Sequence, residues 1–491
     1  MIPSRAKAKT IAAMAHQKVS LAHDARNPIV YDTSDPGTGK TAVRVWGFAA
    51  RRRKGGGRAL VLGPRTILKN TWQSDFRKFA PDMLTVVAPA EKREQAFATP
   101  ADAYITNHDA VKWLVKQKAA WWKAMGFSEL IVDEPTAYKH HASQRSRAML
   151  KISRMKIGTQ PVFPQRKAMT ATPNSNGICD IWHQAMILDH GKRLGDSYFA
   201  FRNTTCTPVQ VGRNQQAVQW RDKDGAEEAV FGLLSDIVVR HKFEDCVDIP
   251  ATHHYTVDYE LPSKLAKTYE TMEDAQLLVL GIGMNQTAGA VANKITTGSP
   301  KITAINAAAV ATKLLQICSG AVYENPTRFH VLDTGRYELL LDMVEQRKHS
   351  LLFFQWKHQR DQLVAEAVKR GVTHCVLDGN ATDKEREAMV QGYQAGLYQV
   401  MFAHPRSAAH GLTLTKGTSI IWAGPIYDLE LFEQGNKRQA RIGQKQKTEV
   451  VVVIAKGTLE EKVYELLMAK NIRMSNLLDL FASIKPLKKA A

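Results

Sequence analysis

Short apolar segments alternate with longer segments of helical periodicity in two parts of the chain. The first part runs from about residue 28 to 170 and holds five strand-length segments: Pro28–Asp32, Ala59–Pro64, Ala103–Asn107, Glu129–Asp133 and Lys167–Thr170. A second series begins near residue 350: Ser350–Phe354, Thr373–Leu377, Gln399–Ala403, Thr418–Ala423 and Thr448–Ala455. Near-continuous apolar character is typical of parallel strands that helices cover on both faces. The pattern therefore predicts two α/β lobes.

The stretch between the two series reads mostly as helix. Residues 258–345 carry helical periodicity, with interruptions rich in glycine and threonine around 281–300. After the second series, Thr458 and Glu461 have the spacing of a capping box at the start of an amphipathic helix. We predict a first lobe over 1–250, a mostly helical insertion over 251–345, and a second lobe with C-terminal helices over 346–491.

The composition adds a strong basic charge to this picture. The 491 residues include 67 Lys and Arg against 47 Asp and Glu, a net charge of +20. Such a surface favours a polyanionic partner, with nucleic acid first and an anionic membrane second. The chain has no run of about 18 apolar residues, so we expect no transmembrane helix and no membrane partner. Five cysteines without close pairs in the sequence argue against a zinc ribbon or a disulfide framework and for a reducing compartment.

A glycine-rich segment provides the first candidate chemistry. Residues 34–41 read SDPGTGKT and follow the first predicted strand, just before a helix. Gly37 and Gly39 let backbone N–H groups approach phosphates without a Cβ clash. Lys40 supplies a positive charge to the β- and γ-phosphates, and the Thr41 hydroxyl is a ligand for Mg²⁺. The segment predicts a phosphate loop for ATP, although its first position is serine where the pattern has glycine.

Two further segments have the composition of the rest of an ATPase site. Asp133 and Glu134 end an apolar strand, which places Asp133 in the Mg²⁺ shell and leaves Glu134 to orient and deprotonate the attacking water. The segment MTATP carries Thr170 and Thr172, whose hydroxyls can hydrogen-bond the acidic pair. Taken alone, either segment would be read as an ordinary turn. Following a phosphate loop, they predict one hydrolytic centre.

The second lobe carries two arginines at helical spacing. Arg438 and Arg441 are three residues apart in the segment QGNKRQARIGQ. On a helix this spacing directs both side chains the same way. We predict that they stabilise transition-state charge on the γ-phosphate; a solvated basic helix is the simpler interpretation.

Together these segments resemble the superfamily-two helicases, and among them the Swi/Snf-type ATPases. The resemblance runs from about Gln17 to about Glu465. Its most specific part is Gln434–Gln444, which ends in Arg-Ile-Gly-Gln, followed by the sequence GTLEEK at residues 457–462. The short chain is similar to minimal motors encoded by bacteria and bacterial viruses. The resemblance implies two RecA-like lobes with a helical insertion between them.

The resemblance also implies roles for individual residues. Gln17 stands where the family has its adenine-reading glutamine, which makes the predicted nucleotide contacts Gln17, Gly37, Thr38, Gly39, Lys40 and Thr41. The predicted coupling residues are Thr170, Thr172, Gly411 and Gln434. The implied nucleic-acid contacts are Arg65, Lys69, Asn107 and His108 in the first lobe and Gln355, Trp356, Lys357 and Ser407 in the second. The chain departs from the family at Thr413, where asparagine is usual, which bears on coupling between ATP and DNA.

The function expected from these observations is an ATP- and Mg²⁺-dependent motor on duplex or branched DNA, working as a monomer. Remodelling, branch migration and strand annealing are all compatible with it. One alternative is a helicase that separates strands of DNA or acts on RNA. An alternative of another class is a nucleic-acid clamp that binds ATP and barely hydrolyses it. The expected location is the cytoplasm of a bacterial or phage-infected cell, or the nucleus in a eukaryote.

Overall fold

The chain forms two compact units. The computed structural model describes residues 11–174, 177–210, 218–246, 250–279, 304–325, 328–408, 412, 414–441 and 443–469. The first unit comprises Met1–Val209 and Trp220–Asp248, and the second comprises Gln210–Gln219 and Ile249–Ala491. Within the described part of the chain, no helix combines the length and apolar character needed to cross a membrane.

The first unit is built on a seven-stranded parallel sheet. The strands of this part of the chain, four of them outside the main sheet, are β1 Ile29–Asp32, β2 Arg58–Gly63, β3 Thr85–Ala88, β4 Ala103–Asn107, β5 Phe127–Asp133, β6 Lys156–Ile157, β7 Gln160–Pro161, β8 Gln165–Met169, β9 Cys206–Gln210, β10 Val218–Asp222 and β11 Val238–Val239. The main sheet has the order β11-β1-β8-β5-β2-β4-β3, while β6 pairs with β7 and β9 with β10. Since β1, β8 and β5 are neighbours, the loops that follow them meet at one edge.

Helices cover this sheet. They are α1 Ala15–Arg26, α2 Lys40–Arg53, α3 Ser74–Phe79, α4 Arg93–Ala98, α5 Val111–Leu114, α6 Ala119–Met125, α7 Gln144–Ser153, α8 Cys179–Asp189, α9 Tyr198–Thr205, α10 Ala226–Leu233 and α11 Phe243–Cys246. The basic end of α2 is neutralised within the fold: Arg51 bonds Glu129, Arg52 bonds Asp102 and Arg53 bonds Asp82. The three arginines are therefore engaged with carboxylates.

The second unit is built on a six-stranded parallel sheet. The strands of this unit, two of them outside the six-stranded sheet, are β12 Thr252–Tyr259, β13 Ala321–Tyr323, β14 Phe329–Val331, β15 Ser350–Phe353, β16 His374–Leu377, β17 Val400–Ala403, β18 Ser419–Trp422 and β19 Thr448–Ala455. Its helices are α12 Ser263–Val279, α13 Ala304–Cys318, α14 Gly335–Glu345, α15 Lys357–Arg370, α16 Asp383–Ala395, α17 Pro405–Ala408, α18 Leu429–Asn436 and α19 Leu459–Met468. The sheet order is β12-β19-β18-β15-β17-β16, and β13 pairs with β14 as a small hairpin.

The fold class expected from the sequence is confirmed: two parallel sheets flanked by helices, as in two RecA-like lobes. The stretch assigned to a helical insertion also contains a strand, because β12 pairs along its length with β19 of the second sheet. This edge strand is mostly exposed and polar, so it lacks the apolar run by which the other strands were recognised. The segment 281–300 lies outside the described residues.

A buried ion pair joins α14 to α19 in the second unit. Arg336 donates from its two terminal nitrogens to the two carboxylate oxygens of Glu460 at 2.8 and 2.7 Å. Only 1% and 2% of these side chains are exposed. The same guanidinium also bonds the Ala423 carbonyl, and the Ala455 N–H donates to Glu460. The pair therefore connects two helices to the ends of two strands.

We expect Glu460→Ala to lower the free energy of unfolding by about 3–5 kcal/mol, because it leaves the Arg336 guanidinium buried without its counter-ion. Urea denaturation of the full chain measures this. The matched control is Glu465→Ala on the same helix, since its pair with Lys462 is exposed and worth about 0–1 kcal/mol. Equal losses in the two variants would contradict a special role for the buried pair.

Candidate nucleotide and nucleic-acid site

The phosphate loop lies between β1 and the first residue of α2. Gly37 and Gly39 both have positive φ, 88° and 81°. The Thr38 hydroxyl donates to the Asp35 carbonyl at 2.9 Å, which closes the loop on itself. Because α2 begins at Lys40, the N–H groups of its first turn face the loop. This is the strand–loop–helix geometry that binds phosphate in nucleotide-binding proteins.

Lys40 lies inside the loop. Its Nζ donates to the carbonyls of Ser34 and Asp35 at 2.6 and 3.0 Å. Burial lowers the pKa of this lysine, and the surrounding carboxylates, led by Asp32 and Glu134, oppose that effect. The ammonium therefore lies among the loop carbonyls and near the acids.

The end of the first unit packs against the same loop, a contact that the sequence did not predict. β11 lies beside β1, and the His241 N–H donates to the Ser34 hydroxyl at 3.0 Å. The Phe243 N–H donates to the Asp35 carboxylate at 3.1 Å. A Cβ at Gly37 would meet the Phe243 ring at 2.9 Å, so glycine is required both for the backbone conformation and for space.

Gln17 contacts the loop from the other side. Its side-chain amide donates to the Thr38 carbonyl at 3.2 Å and accepts from the Met14 N–H at 2.9 Å. It is buried, and a Cβ at Gly39 would meet its amide nitrogen at 2.3 Å. Next to it, His16 also bonds the Thr38 carbonyl, at 2.8 Å. The structure thus places Gln17 directly on the phosphate loop, and its role toward adenine stays a prediction.

An open pocket of about 490 Å³ adjoins this part of the loop. Its lining residues are Ala15, His16, Val19, Arg240, His241, Lys242, Asp245 and Cys246. The rings of His16 and His241 approach edge-on, with centroids 5.5 Å apart. His16 therefore lines the pocket and also bonds the Thr38 carbonyl of the phosphate loop.

Asp133 is the buried member of the acidic pair. Its Oδ2 accepts a hydrogen bond of 2.8 Å from the Trp72 indole N–H. Burial raises the pKa of this carboxyl to about 6, while the Trp72 bond and the charge of Lys40 act in the opposite direction. Trp72 fixes the orientation of Asp133 beside Lys40. Nothing in the sequence pattern singled out this tryptophan, because it lies 61 residues away and reads as a core residue.

Glu134 has an unusual backbone conformation. Its φ of 58° is left-handed, although the residue is not glycine. Such positions cost about 1–3 kcal/mol and tend to occur at functional sites. The turn is held by the Glu134 N–H, which donates to the Met169 carbonyl at 2.9 Å. It directs the carboxylate to Thr170, whose hydroxyl donates to Oε2 at 2.6 Å. The predicted contact between the acidic pair and the threonine segment is present.

The donor set fits Mg²⁺. Thr41 is the second residue of α2. Asp133 is the last residue of β5, which lies two strands away from β1 in the same sheet. A hydroxyl and one carboxylate are hard oxygen ligands, and Mg²⁺ bound with ATP takes few ligands from protein. Among the described residues no cluster of three or more His, Cys, Asp or Glu side chains is placed to hold a metal ion. The Thr172 hydroxyl, also buried, makes no hydrogen bond to protein.

The two arginines of the second unit have different environments. Helix α18 ends at Asn436, so Arg438 and Arg441 lie in the turns after it and not on one helical face. The helical interpretation of their spacing is therefore wrong. Arg438 is buried and donates to the carbonyls of Gln434 and Leu412 at 2.8 and 3.3 Å. Arg441 is partly exposed and donates to the Lys437 carbonyl at 2.9 Å.

The glutamines of this segment make hydrogen bonds within the second unit. Gln434 is buried and its amide donates to Glu430 at 3.1 Å. Gln444, which ends the Arg-Ile-Gly-Gln segment, donates to the carbonyls of Thr415 and Gly417 at 3.2 and 3.0 Å. In the sequence, Gln444 was notable only as part of the segment that resembles the family. In the structure it satisfies backbone groups next to β18.

The predicted nucleic-acid contacts of the first unit follow neighbouring strands. Gly63 at the end of β2 is paired with Asn107 at the end of β4, so the residues after both strands lie at one edge. Arg65 and Lys69 are exposed there. Asn107 accepts a bond from Arg93 at 2.9 Å, and His108 is buried against the Tyr138 hydroxyl at 2.9 Å. The structure favours the two basic residues over His108 as surface contacts.

The second unit repeats this arrangement. β15 and β17 are neighbours, and the residues after them are Gln355, Trp356 and Lys357 in one case and Ser407 in the other. Lys357 is exposed, whereas Ser407 is buried. Trp356 is half-buried and stacks on His358 with ring centroids 5.9 Å apart. Gly411 lies outside the described residues.

Two protein-family models match the chain, one in each unit. Residues 14–181 match the family described as DEAD/DEAH box helicase, and residues 335–443 match the helicase conserved C-terminal domain. The chain thus carries the two domains of a helicase, and its relatives include an SWI/SNF-related human protein. This helicase-type chain is thus an ATPase, and ATP is its nucleotide.

The relatives of this helicase include phage, bacterial and eukaryotic proteins. Protein p41 of Acyrthosiphon pisum secondary endosymbiont phage 1 is 28% identical over 83% of this chain and 84% of its own length. The uncharacterized ATP-dependent helicase MG018 of Mycoplasma genitalium is 23% identical over 82% of this chain and 36% of its own. Nuclear protein STH1/NPS1 of Saccharomyces cerevisiae is 23% identical over 92% and 33%. The chain therefore spans about a third of the length of these two relatives.

Among solved structures, the Sulfolobus solfataricus SWI2/SNF2 ATPase core in complex with dsDNA covers 98% of this chain. The chain covers 97% of that structure in turn, at 20% sequence identity and a TM-score of 0.42.

Proposed function

We propose that this helicase couples ATP hydrolysis to movement along double-stranded or branched DNA. The observation that carries the proposal is the edge of the first sheet. β5 ends in Asp133, its neighbour β2 is followed by exposed Arg65 and Lys69, and the two strands are paired. The acidic pair and the residues that would hold a phosphate backbone therefore follow neighbouring strands of one sheet.

The chain's own residues divide the work of hydrolysis. Lys40 binds the β- and γ-phosphates, and Glu134 orients and deprotonates the attacking water. Mg²⁺, when held by Thr41, Asp133 and phosphate oxygens, would neutralise charge on the transferred group. Thr170 contacts the Glu134 carboxylate at 2.6 Å and is bonded through its N–H to the Asp32 carbonyl. It is suited to pass the state of the catalytic acid to the backbone beside the phosphate loop.

Charge supports DNA as the track. A net charge of +20 over 491 residues favours binding to phosphates without sequence preference. The relatives' names include a bacterial ATP-dependent helicase and a yeast nuclear protein. Remodelling, branch migration and annealing are the activities that we propose to test first, since none of them requires strand separation.

The test is steady-state ATP hydrolysis by the full chain alone and with duplex DNA, branched DNA, single-stranded DNA and RNA. We expect the greatest stimulation by duplex or branched DNA. Heparin serves as a polyanion without duplex structure, and Glu134→Gln as the blank. Stimulation by single strands or RNA alone would replace the proposal with a strand-separating helicase. The absence of hydrolysis with every nucleic acid would leave a clamp that binds ATP and barely hydrolyses it.

The salt dependence of DNA binding gives a quantitative prediction. If Arg65 and Lys69 each contact a phosphate, the double change Arg65→Ala and Lys69→Ala should reduce the slope of log K against log salt by up to about 1.8. Fluorescence anisotropy with labelled duplex between about 50 and 200 mM salt measures the slope. Lys151→Ala, an exposed lysine on α7, is the charge control. An unchanged slope in the double variant would place the track elsewhere.

A further inference from the structure

Two cysteines that are far apart in the sequence meet in the first unit. Cys179 is the first residue of α8 and Cys206 is the first residue of β9. Their sulfur atoms are 3.4 Å apart, across a separation of 27 residues. A disulfide needs a sulfur–sulfur distance of about 2.05 Å, so closing the bond requires a movement of little more than about 1 Å.

The two thiols differ in access. Cys179 is partly exposed, while Cys206 is buried. A small oxidant in solution therefore reaches Cys179 first. Cys318 and Cys375 are buried and Cys246 is partly exposed. The pair thus combines one accessible sulfur with a second sulfur behind it.

A carboxylate organises the pair. Asp222 on β10 accepts from the Cys206 thiol at 3.6 Å through Oδ1, and from the Ile178 N–H at 3.1 Å through Oδ2. Asp222 thereby holds the chain just before Cys179 next to the strand pair that carries Cys206. The hydrogen bond between the two thiols lowers the pKa of Cys206, against the effect of the Asp222 carboxylate, and raises the pKa of Cys179. This favours Cys206 as the thiolate that attacks an oxidised partner.

We propose that Cys179 and Cys206 form a reversible redox site that slows ATP turnover when it is oxidised to a disulfide. Hydrogen peroxide oxidises the Cys179 thiol to a sulfenic acid and releases water. The Cys206 thiolate then attacks the Cys179 sulfur, the S–S bond forms, and the sulfenic oxygen leaves as a second water. Two thiols have lost two electrons and two protons to one peroxide. A dithiol reductant reverses the change.

The effect on turnover follows from the position of α8. Its Gln184 amide donates to the Pro173 carbonyl at 2.7 Å and accepts from the Tyr31 hydroxyl at 2.9 Å. α8 is therefore bonded to the segment that carries Thr170 and Thr172, and to β1. A disulfide would attach the first residue of α8 to β9, which restrains any shift of that segment during the ATP cycle.

The experiment treats the full reduced chain with hydrogen peroxide and then analyses it in denaturant. We expect reactive thiols to fall from five to three, and peptide mapping to find the Cys179–Cys206 cross-link. The melting temperature should rise because the cross-link restrains the unfolded chain. ATP hydrolysis should be reduced, and dithiothreitol should restore it. The Cys179→Ser variant should keep its activity in peroxide, whereas the matched variant Cys375→Ser should respond like the natural chain.

The outcomes separate the parts of the proposal. Further oxidation of Cys179 to the sulfinic acid, or a cross-link between two chains, would overturn the redox site. A Cys179–Cys206 disulfide with unchanged ATP turnover would overturn its regulatory role. Should Cys179→Ser melt early, Cys179→Ala provides the second variant. Mass analysis of peptides detects the cross-link, so this test does not depend on which nucleic acid the motor moves along.

Discussion

Replacing Glu134 by glutamine is expected to lower kcat for ATP hydrolysis by about 10²- to 10⁴-fold while ATP still binds. The change removes the base that takes the proton from water and keeps the size of the side chain. It also keeps an oxygen to accept the Thr170 hydroxyl, which lies at 2.6 Å. The loss is therefore chemical and does not come from a collapsed site.

Steady-state kinetics and binding of a fluorescent ATP analogue measure the two effects separately. Glu228→Gln, an exposed glutamate on α10, is the matched control and should behave as the natural chain. A Glu134→Gln variant that retains more than about a tenth of kcat would fall outside the range for a general base. Another group, or water alone, would then take the proton.

Changing Arg441 to alanine is expected to lower DNA-stimulated ATP hydrolysis by about 10³-fold or more, as for an arginine that stabilises transition-state charge. The structure separates this residue from Arg438. Arg441 is partly exposed and donates to the Lys437 carbonyl, so we expect its removal to lower the melting temperature less than the removal of the buried Arg438. Arg438 is 3% exposed and bridges two carbonyls, so Arg438→Ala should lower the melting temperature of the second unit.

The measurement is a pair of thermal melts beside a pair of ATPase assays. The control for the loss of a positive charge is Lys437→Ala, which removes one charge from the same turn. If Arg441→Ala unfolds as early as Arg438→Ala, both arginines are structural. If it melts normally and hydrolyses ATP normally, the predicted catalytic role of Arg441 is wrong.

The strands in the middle of both sheets were predictable from the sequence. β4 and β19 have the bounds that the apolar runs indicated, Ala103–Asn107 and Thr448–Ala455. Both faces of such strands are covered, so most of their residues are apolar and the signal is strong. β12 was missed because it forms an edge, where polar residues such as His253 and His254 are allowed to face solvent.

The segments that make up the ATP site were also predictable, because each is continuous in the sequence. The phosphate loop, the acidic pair and the threonine segment each follow one strand. Parallel strands end at the same edge, so their order along the chain was enough to expect one centre. The Thr170–Glu134 hydrogen bond agrees with that expectation. The catalytic roles themselves await the variants described above.

By itself the sequence determined the class of fold, the phosphate loop and the acidic pair, since local spacing and apolar runs carry that information. Only the tertiary structure decided that Trp72 orients Asp133, that Phe243 and His241 close on the phosphate loop, and that Cys179 meets Cys206. It also decided that Arg438 is buried and Arg441 is partly exposed. These features depend on contacts between residues far apart in the chain, which no local pattern of side chains encodes.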